Sequence, residues 1–265
     1  MPMLLYRRGV LAALAVVFLT AAATTPRLVT RAQNFHAVRS FGVGSSKREA
    51  EIKLSYPSIA GGPSIAARSA LNHAVLNFVL GNEFGQSRKP ASSPNALAAD
   101  FFTAYENYYA SSRKMHTFAQ PYLLERAVRI LNTGPHVVSL QMDEFSDMGG
   151  AHPNSLTLLA NVDALSGKVL TIDDLIIPGS KTALMRIAER YFRNARSIPQ
   201  NQRFTRSGDF FSEQGKFVLP KEVAIESTGL RLYYNSYEVA SYVDGPTDFT
   251  IPFSALAGVI RPNLP

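Results

Sequence analysis

The 265-residue chain contains no cysteine. Disulfides, thiolate nucleophiles, iron–sulfur clusters and cysteine zinc sites are thereby excluded. The compartment is not, because a protein without thiols is safe on either side of a membrane. Acidic residues are absent before Glu49, so Arg7, Arg8, Arg27, Arg31, Arg39, Lys47 and Arg48 stand unopposed. The net charge of +7 arises there, because residues 49–265 hold 20 basic and 20 acidic residues. A neutral body behind a basic tail argues against nucleic-acid binding. Motifs for common chemistries are missing as well: no H-E-x-x-H, no G-x-S-x-G, no P-loop and no G-x-G-x-x-G. Ser111-Ser-Arg-Lys114 fits S-x-x-K without the companion motifs of serine acylases and reads as a chance match. No cofactor and no metal is expected. What is present suffices for a core, with 46% hydrophobic and 18% charged residues.

The N-terminus has the pattern of a secretory signal peptide. Arg7-Arg8 is followed by an apolar run from Gly9 to Leu19 and by the small residues Ala21-Ala-Ala23. Counted through Ala23, the run is shorter than the ~20 residues a membrane-spanning helix needs. Residues 1–23 are therefore expected to be removed, with an uncleaved anchor as the alternative. Residues 24–48, rich in Thr, Ser, Arg and Gly, read as a flexible basic spacer.

Periodicity organises the body. Glu49 to Tyr56 alternates polar and apolar, as a half-buried strand does, and Pro57 is expected to end it. Ser64 is placed to cap a helix stopped by Gly81, and Ser93-Pro94 opens a second helix. Tyr122 to Leu131 fits helix or strand, and strand is preferred. Val137 to Phe145 and Leu156 to Asp163 alternate about Asp147-Met-Gly-Gly150 and read as an antiparallel hairpin. Ser180 is expected to cap a third helix. Short strands are expected at 223–225, 230–234, 237–243 and 249–251. The class is α+β, an antiparallel sheet packed by helices, divided into a smaller segment 49–133 and a domain 134–262.

Few residues carry recognisable chemistry. His152 lies in Gly149-Gly-Ala-His-Pro153 beside Asp147. It reads either as a recognition residue or metal ligand, or as a loop histidine bonded to its own turn. Asp143 and Glu144 are adjacent on a strand and so point to opposite faces, too far apart in direction to share one scissile bond. Tyr233-Tyr-Asn-Ser-Tyr-Glu-Val-Ala-Ser-Tyr242 offers tyrosines of the kind used on recognition surfaces, with some expected in the core.

Taken in order, Asp147-Met-Gly-Gly-Ala-His152, Asn161-Val-Asp163, Ser166 to Leu175, and Tyr237-Glu-Val-Ala-Ser-Tyr242 with Gly245 resemble the extracellular domain of RsiV-type anti-sigma factors. The same module precedes some peptidoglycan deacetylase domains. The strand ending in Ser55-Tyr-Pro57 and the helix after Gly61-Gly62 resemble the smaller segment that comes before it. The resemblance implies an α+β fold and a receptor for lysozyme. It departs at Ser241, where the family has proline. Eight residues precede the apolar run, too few for a sigma-binding segment, and nothing like a deacetylase follows residue 262. A free-standing exported module without a sigma-factor partner is the expectation.

From Val138 to Asp174 the local charge is −5, and from Lys181 to Arg206 it is +6. The acidic hairpin either docks a cationic partner or is neutralised by the helix that follows it. The resulting reading is a periplasmic or secreted, non-catalytic binding protein of the cell envelope. It recognises a basic, lysozyme-like muramidase or peptidoglycan, and meets the membrane only if the signal is retained. Its binding residues are Asp143, Glu144, Asp147, Gly149, Gly150, His152, Tyr237 and Tyr242. The alternative is an envelope carbohydrate or ester hydrolase with His152 and Asp147 as acid and base.

Overall fold

The computed structural model describes residues 28–81, 91–204 and 215–264. The signal sequence expected at 1–23 lies outside them. The fold is α+β, as the periodicity indicates. A first sheet has the order β1-β2-β3-β4-β5-β6, with β1 Val29–Phe41, β2 Arg48–Gly61, β3 Tyr122–Thr133, β4 Val137–Asp147, β5 Asn154–Asp163 and β6 Val169–Leu170. A second sheet is formed by β7 Glu222–Ile225, β8 Gly229–Tyr234 and β9 Thr247–Pro252.

Two helices, α1 Ile65–Leu80 and α2 Pro94–Lys114, connect β2 to β3 and cover one face of the first sheet. Ser64 and Ser93 cap them as expected, accepting from the backbone N–H groups of Ala67 and Ala96 at 3.0 and 3.1 Å. Because these helices carry the chain back across the sheet, β2 and β3 pair in parallel, the one such ladder in an otherwise antiparallel sheet. The core beneath them takes the inward-facing Ala50, Ile52 and Leu54 of β2 together with Leu140 and Met142 of β4.

After β6, a short helix α3 Ile172–Leu175 and the amphipathic α4 Lys181–Ala195 pack with the second sheet around Leu184, Phe192, Leu230, Leu232 and Ile251. This unit lies against the opposite face of the first sheet, but only over the earlier part of β4 and the later part of β5. Ser139, Gln141, Leu159 and Asn161 are buried there, although their parity points them away from α1 and α2. The seam is made by side chains acting as strand backbone. Asn161 accepts from Ile225 N–H at 2.8 Å and donates to Val223 C=O at 2.8 Å. Asn235 accepts from Thr157 N–H at 2.8 Å and donates to Thr157 C=O at 2.9 Å. Glu222 accepts from Leu159 N–H. An edge that would otherwise offer free N–H groups is thereby closed.

Several expectations are corrected. The spacer read at 24–48 contains β1 over residues 29–41, paired with β2 from Phe41↔Arg48 to Val29↔Gly61. Its polar composition reflects a strand at the sheet edge that is mostly exposed, with Phe35, Ala37 and Phe41 packing inward. Pro57 does not end β2, because its missing N–H is tolerated near the outer strand of a sheet. The division at 133/134 falls within the β3–β4 hairpin and is not a break in the sheet. Residues 237–243 are a turn and a 3-10 segment instead of a strand. Ser180 precedes α4, but its hydroxyl donates to Ile177 C=O and Val259 C=O rather than capping.

Candidate functional site

The part of the first sheet left bare by the second unit is a trough of about 940 Å³. Strand register sets its floor. Asn34, Ser55, Ala127, Asp143 and Thr157 are successive partners across β1 to β5, forming one transverse row of short side chains. The next row is His36, Lys53, Glu125, Phe145 and Ser155, whose side chains, Ser155 apart, are longer and form a bank. All ten line the cavity. The wall at the β5 end comes from Tyr233, Asn235, Ser236, Tyr242, Gly245 and Pro246.

Charges on this face are mutually paired. Lys53 Nζ lies 2.9 Å from Glu125 and 3.1 Å from Glu51, and His36 Nε2 lies 2.8 Å from Glu51. The Glu125 carboxylate, with Glu51 beside it, raises Lys53 above its ordinary value. The Lys53 ammonium in turn holds Glu51 below the usual carboxylate range. Asp143 accepts from the Gln141 amide at 2.7 Å and the Thr157 hydroxyl at 2.9 Å. Gln141 also accepts from Arg231, whose guanidinium grips Asp248 with two bonds at 2.8 and 2.7 Å. The second sheet thus steadies the floor of the trough.

A second groove of about 770 Å³ adjoins the first and shares Phe145 with it. It is lined by Asp147, Gly149, Gly150 and His152 of the β4–β5 loop, with Lys47, Arg48, Glu49 and Gln120. Asp147 accepts from Gly149 N–H at 3.2 Å. Gly149 has φ +68°, and a Cβ there would come within 2.8 Å of the Tyr108 hydroxyl, so glycine is required by both conformation and space.

The His152 ring packs against Tyr242 with 4.9 Å between centroids, and Tyr242 packs against Tyr237 at 5.5 Å. Tyr242 faces the first groove and His152 the second, so this column of three rings stands where the grooves adjoin. Tyr237 and Tyr242 remain 56% and 46% exposed. Tyr237 is held at φ +71°, a sparsely populated conformation for a bulky residue, as part of a turn anchored by Asn235. His152 Nδ1 is engaged by Pro153 C=O at 2.8 Å, which leaves the ring oriented by its own turn and not by Asp147.

Six of the eight residues selected from the sequence therefore have side chains or backbone on two adjoining grooves, Asp143 and Tyr242 on the first and Asp147, Gly149, Gly150 and His152 on the second, and a seventh, Tyr237, packs beside them against Tyr242. Glu144 is the correction. It is 2% exposed and pairs at 2.7 Å with Arg126, itself buried, on the helix-covered face. Arg126 also donates to Val79 C=O and Gly81 C=O at the C-terminal end of α1. The acidic stretch is further reduced because Asp173 pairs with Lys181 of α4 at 3.0 Å. Neutralisation by the following helix thus accounts for part of the charge pattern. The transverse row on the trough floor escaped notice, although strand parity already marked Ser55, Ala127 and Thr157 as outward-facing. Among the described residues no three His, Cys, Asp or Glu side chains gather as a metal site, and no helix is long and apolar enough to cross a membrane.

This is an α+β protein with a transverse trough beside an aromatic column, and comparison with known proteins gives it relatives. Residues 43–155 match a family described as Deacetylase PdaC, and residues 173–254 match one described as Protein of unknown function (DUF3298). The first match covers β2 to the start of β5, and the second covers α4 and the second sheet. No curated protein matches the chain. Among solved structures, a DUF3298 family protein from Pseudomonas aeruginosa PAO1 superposes with a TM-score of 0.61 at 19% identity, covering 89% of this chain and 96% of that one. A DUF3298 family member from Bacteroides fragilis NCTC 9343 gives a TM-score of 0.68 at 14% identity, with 89% and 95% covered. At such identities the likeness is one of fold.

Proposed function

We propose that this chain is an exported, non-catalytic binding protein of the cell envelope, periplasmic or secreted, that holds a muramidase-like protein or a wall glycan at the aromatic column and the grooves beside it. The observation that supports this most is the column itself. His152 and Tyr242 belong to motifs 90 positions apart in the sequence, yet their rings pack against each other with 4.9 Å between centroids. With Tyr237 they leave amphipathic surface exposed at a strained turn, the type of surface on which recognition concentrates. The motif resemblance to lysozyme-receptor domains and the match to a family named for a deacetylase both favour an envelope setting. Binding is favoured over hydrolysis because His152 Nδ1 is engaged by Pro153 C=O and not by Asp147, so the two residues are not coupled as the acid–base pair that a hydrolase reading calls for.

The test is co-sedimentation of the purified chain with isolated cell-wall sacculi, alongside calorimetry with a basic lysozyme. Tyr242→Ala is expected to weaken whichever interaction is found by at least tenfold, with little change in salt dependence, because it removes contact area and not charge. Failure to bind either material would overturn the reading. So would release of reducing ends or acetyl groups from sacculi that His152→Ala abolishes.

A further inference from the structure

We infer that the trough is a site for an uncharged, linear oligosaccharide lying across the strands. This rests on the binding function proposed above and names the ligand class of the same surface.

Three observations carry it. The floor row of Asn34, Ser55, Ala127, Asp143 and Thr157 crosses five strands, about 19 Å at the usual strand spacing, and every member is short. A channel of that direction does not suit a peptide. Peptides add to sheets along the strand direction at an edge. At the β5 end the edge is already taken, since the Asn235 side chain occupies both Thr157 N–H and Thr157 C=O.

The second observation is charge. Lys53 is matched by Glu125 and Glu51, and Asp143 is held by the neutral donors Gln141 and Thr157 with Arg129 at 3.9 Å to balance its charge. A lining with many donors and acceptors but little net sign offers nothing to a polyanion or polycation. It matches a ligand whose polarity is all hydroxyl and amide. The third is the wall. Tyr242 presents ring surface at the β5 end, and Phe145 stands in the bank. A pyranose has an apolar C–H face and a polar rim, so stacking on an aromatic ring while its hydroxyls reach the floor uses both kinds of lining. A volume of about 940 Å³ falls at the upper end of the usual range for small-molecule sites.

The experiment titrates the full chain with chitotetraose, an uncharged β-linked tetrasaccharide, by calorimetry and by amide chemical-shift mapping. A basic lysozyme is titrated in parallel. Chitotetraose should bind with an affinity unchanged by raising salt from 0.1 to 0.5 M, and the largest shifts should fall on residues 34, 55, 127, 143 and 157. Ala127 is exposed at the centre of the floor, so Ala127→Trp should fill the trough without disturbing the core and lower affinity at least tenfold. The shift map needs no variant and stands if Ala127→Trp fails to fold. Lysozyme binding lost in Tyr242→Ala, with no chitotetraose binding, would overturn the trough assignment and leave the binding function standing. Chitotetraose binding that Ala127→Trp leaves untouched, with shifts confined to other residues, would overturn it as well. Binding of neither ligand, nor of sacculi, would remove both.

Discussion

One face of the first sheet is used in two ways along its strands. Over the earlier part of β4 and the later part of β5 it is sealed by the second sheet, and Ser139, Gln141, Leu159 and Asn161 are buried. Over the earlier part of β5 and the end of β4 it is bare, and Asp143 and Thr157 line a trough. Both halves are polar. The difference lies in what satisfies the polar groups. In the sealed half each partner is a side chain of fixed geometry, as with Asn161 between Val223 and Ile225. In the bare half the partners are long side chains with access to water, as with Lys53 and Glu125. Fixed bonds make a seam, whereas exchangeable ones leave a surface able to trade partners with a ligand.

The largest expected effect comes from crossing to the other face altogether. Asp143 and Glu144 are neighbours, but the Asp143 side chain is half exposed at the trough and the Glu144 side chain is fully buried against Arg126. Glu144→Ala leaves a buried guanidinium with only the α1 carbonyls as partners, and should cost roughly 3–5 kcal/mol in urea unfolding. Asp143→Ala should cost less than about 1 kcal/mol. Equal costs would erase the distinction between the faces.

Within the shared face, the contrast should be sharpest between Asn161 and Thr157. Asn161→Ala strands Val223 C=O, Ile225 N–H and the Ser139 hydroxyl in the buried seam. A loss of about 2–4 kcal/mol is expected. Thr157→Ala removes one exposed hydroxyl bond to Asp143 and should cost under about 0.5 kcal/mol. Denaturant midpoints measured side by side decide this, and a Thr157 effect as large as that of Asn161 would mean that the trough floor is part of the structural seam.

Much of this was legible in the sequence, and the reasons differ by element. Caps at Ser64 and Ser93 are local, set within three residues, and appear where their side chains required. The β4–β5 hairpin follows from alternation alone. Parity also held the answer for Glu144. It shares the inward register of Leu140 and Met142, while Arg126 lies between the inward Leu124 and Val128, so two inward charges on paired strands mark a buried ion pair. The strand at 29–41 was hidden because an exposed edge strand needs little apolar content, and Phe35, Ala37 and Phe41 were its only signal. The column could not be read, because its two halves meet only through the packing of the second unit on β5.

The smallest expected effect separates the same two halves by acid and salt. At the sealed end Asp163 accepts from the Ser166 hydroxyl and from the N–H groups of Ser166 and Leu165, and these bonds, the hydroxyl first, hold its pKa below the ordinary value. At the open face Glu51 is held down chiefly by Lys53. In both cases the folded pKa is depressed. The unfolded chain therefore binds more protons in acid, and the stabilisation is present above about pH 4 and lost as pH falls through the folded values. The two should part in salt. Hydrogen bonds from a turn are short-range and neutral, so Asp163→Asn should flatten the slope of stability against pH below about pH 4 equally at 0.05 and 0.5 M salt. An exposed ion pair is screened, so Lys53→Met should flatten the slope at 0.05 M and have almost no effect at 0.5 M. Urea midpoints between pH 2.5 and 5 at both salt concentrations provide the comparison. An Asp163 effect that fades with salt, or a Lys53 effect that does not, would show that the sealed and open halves are not distinguished by fixed against exchangeable partners.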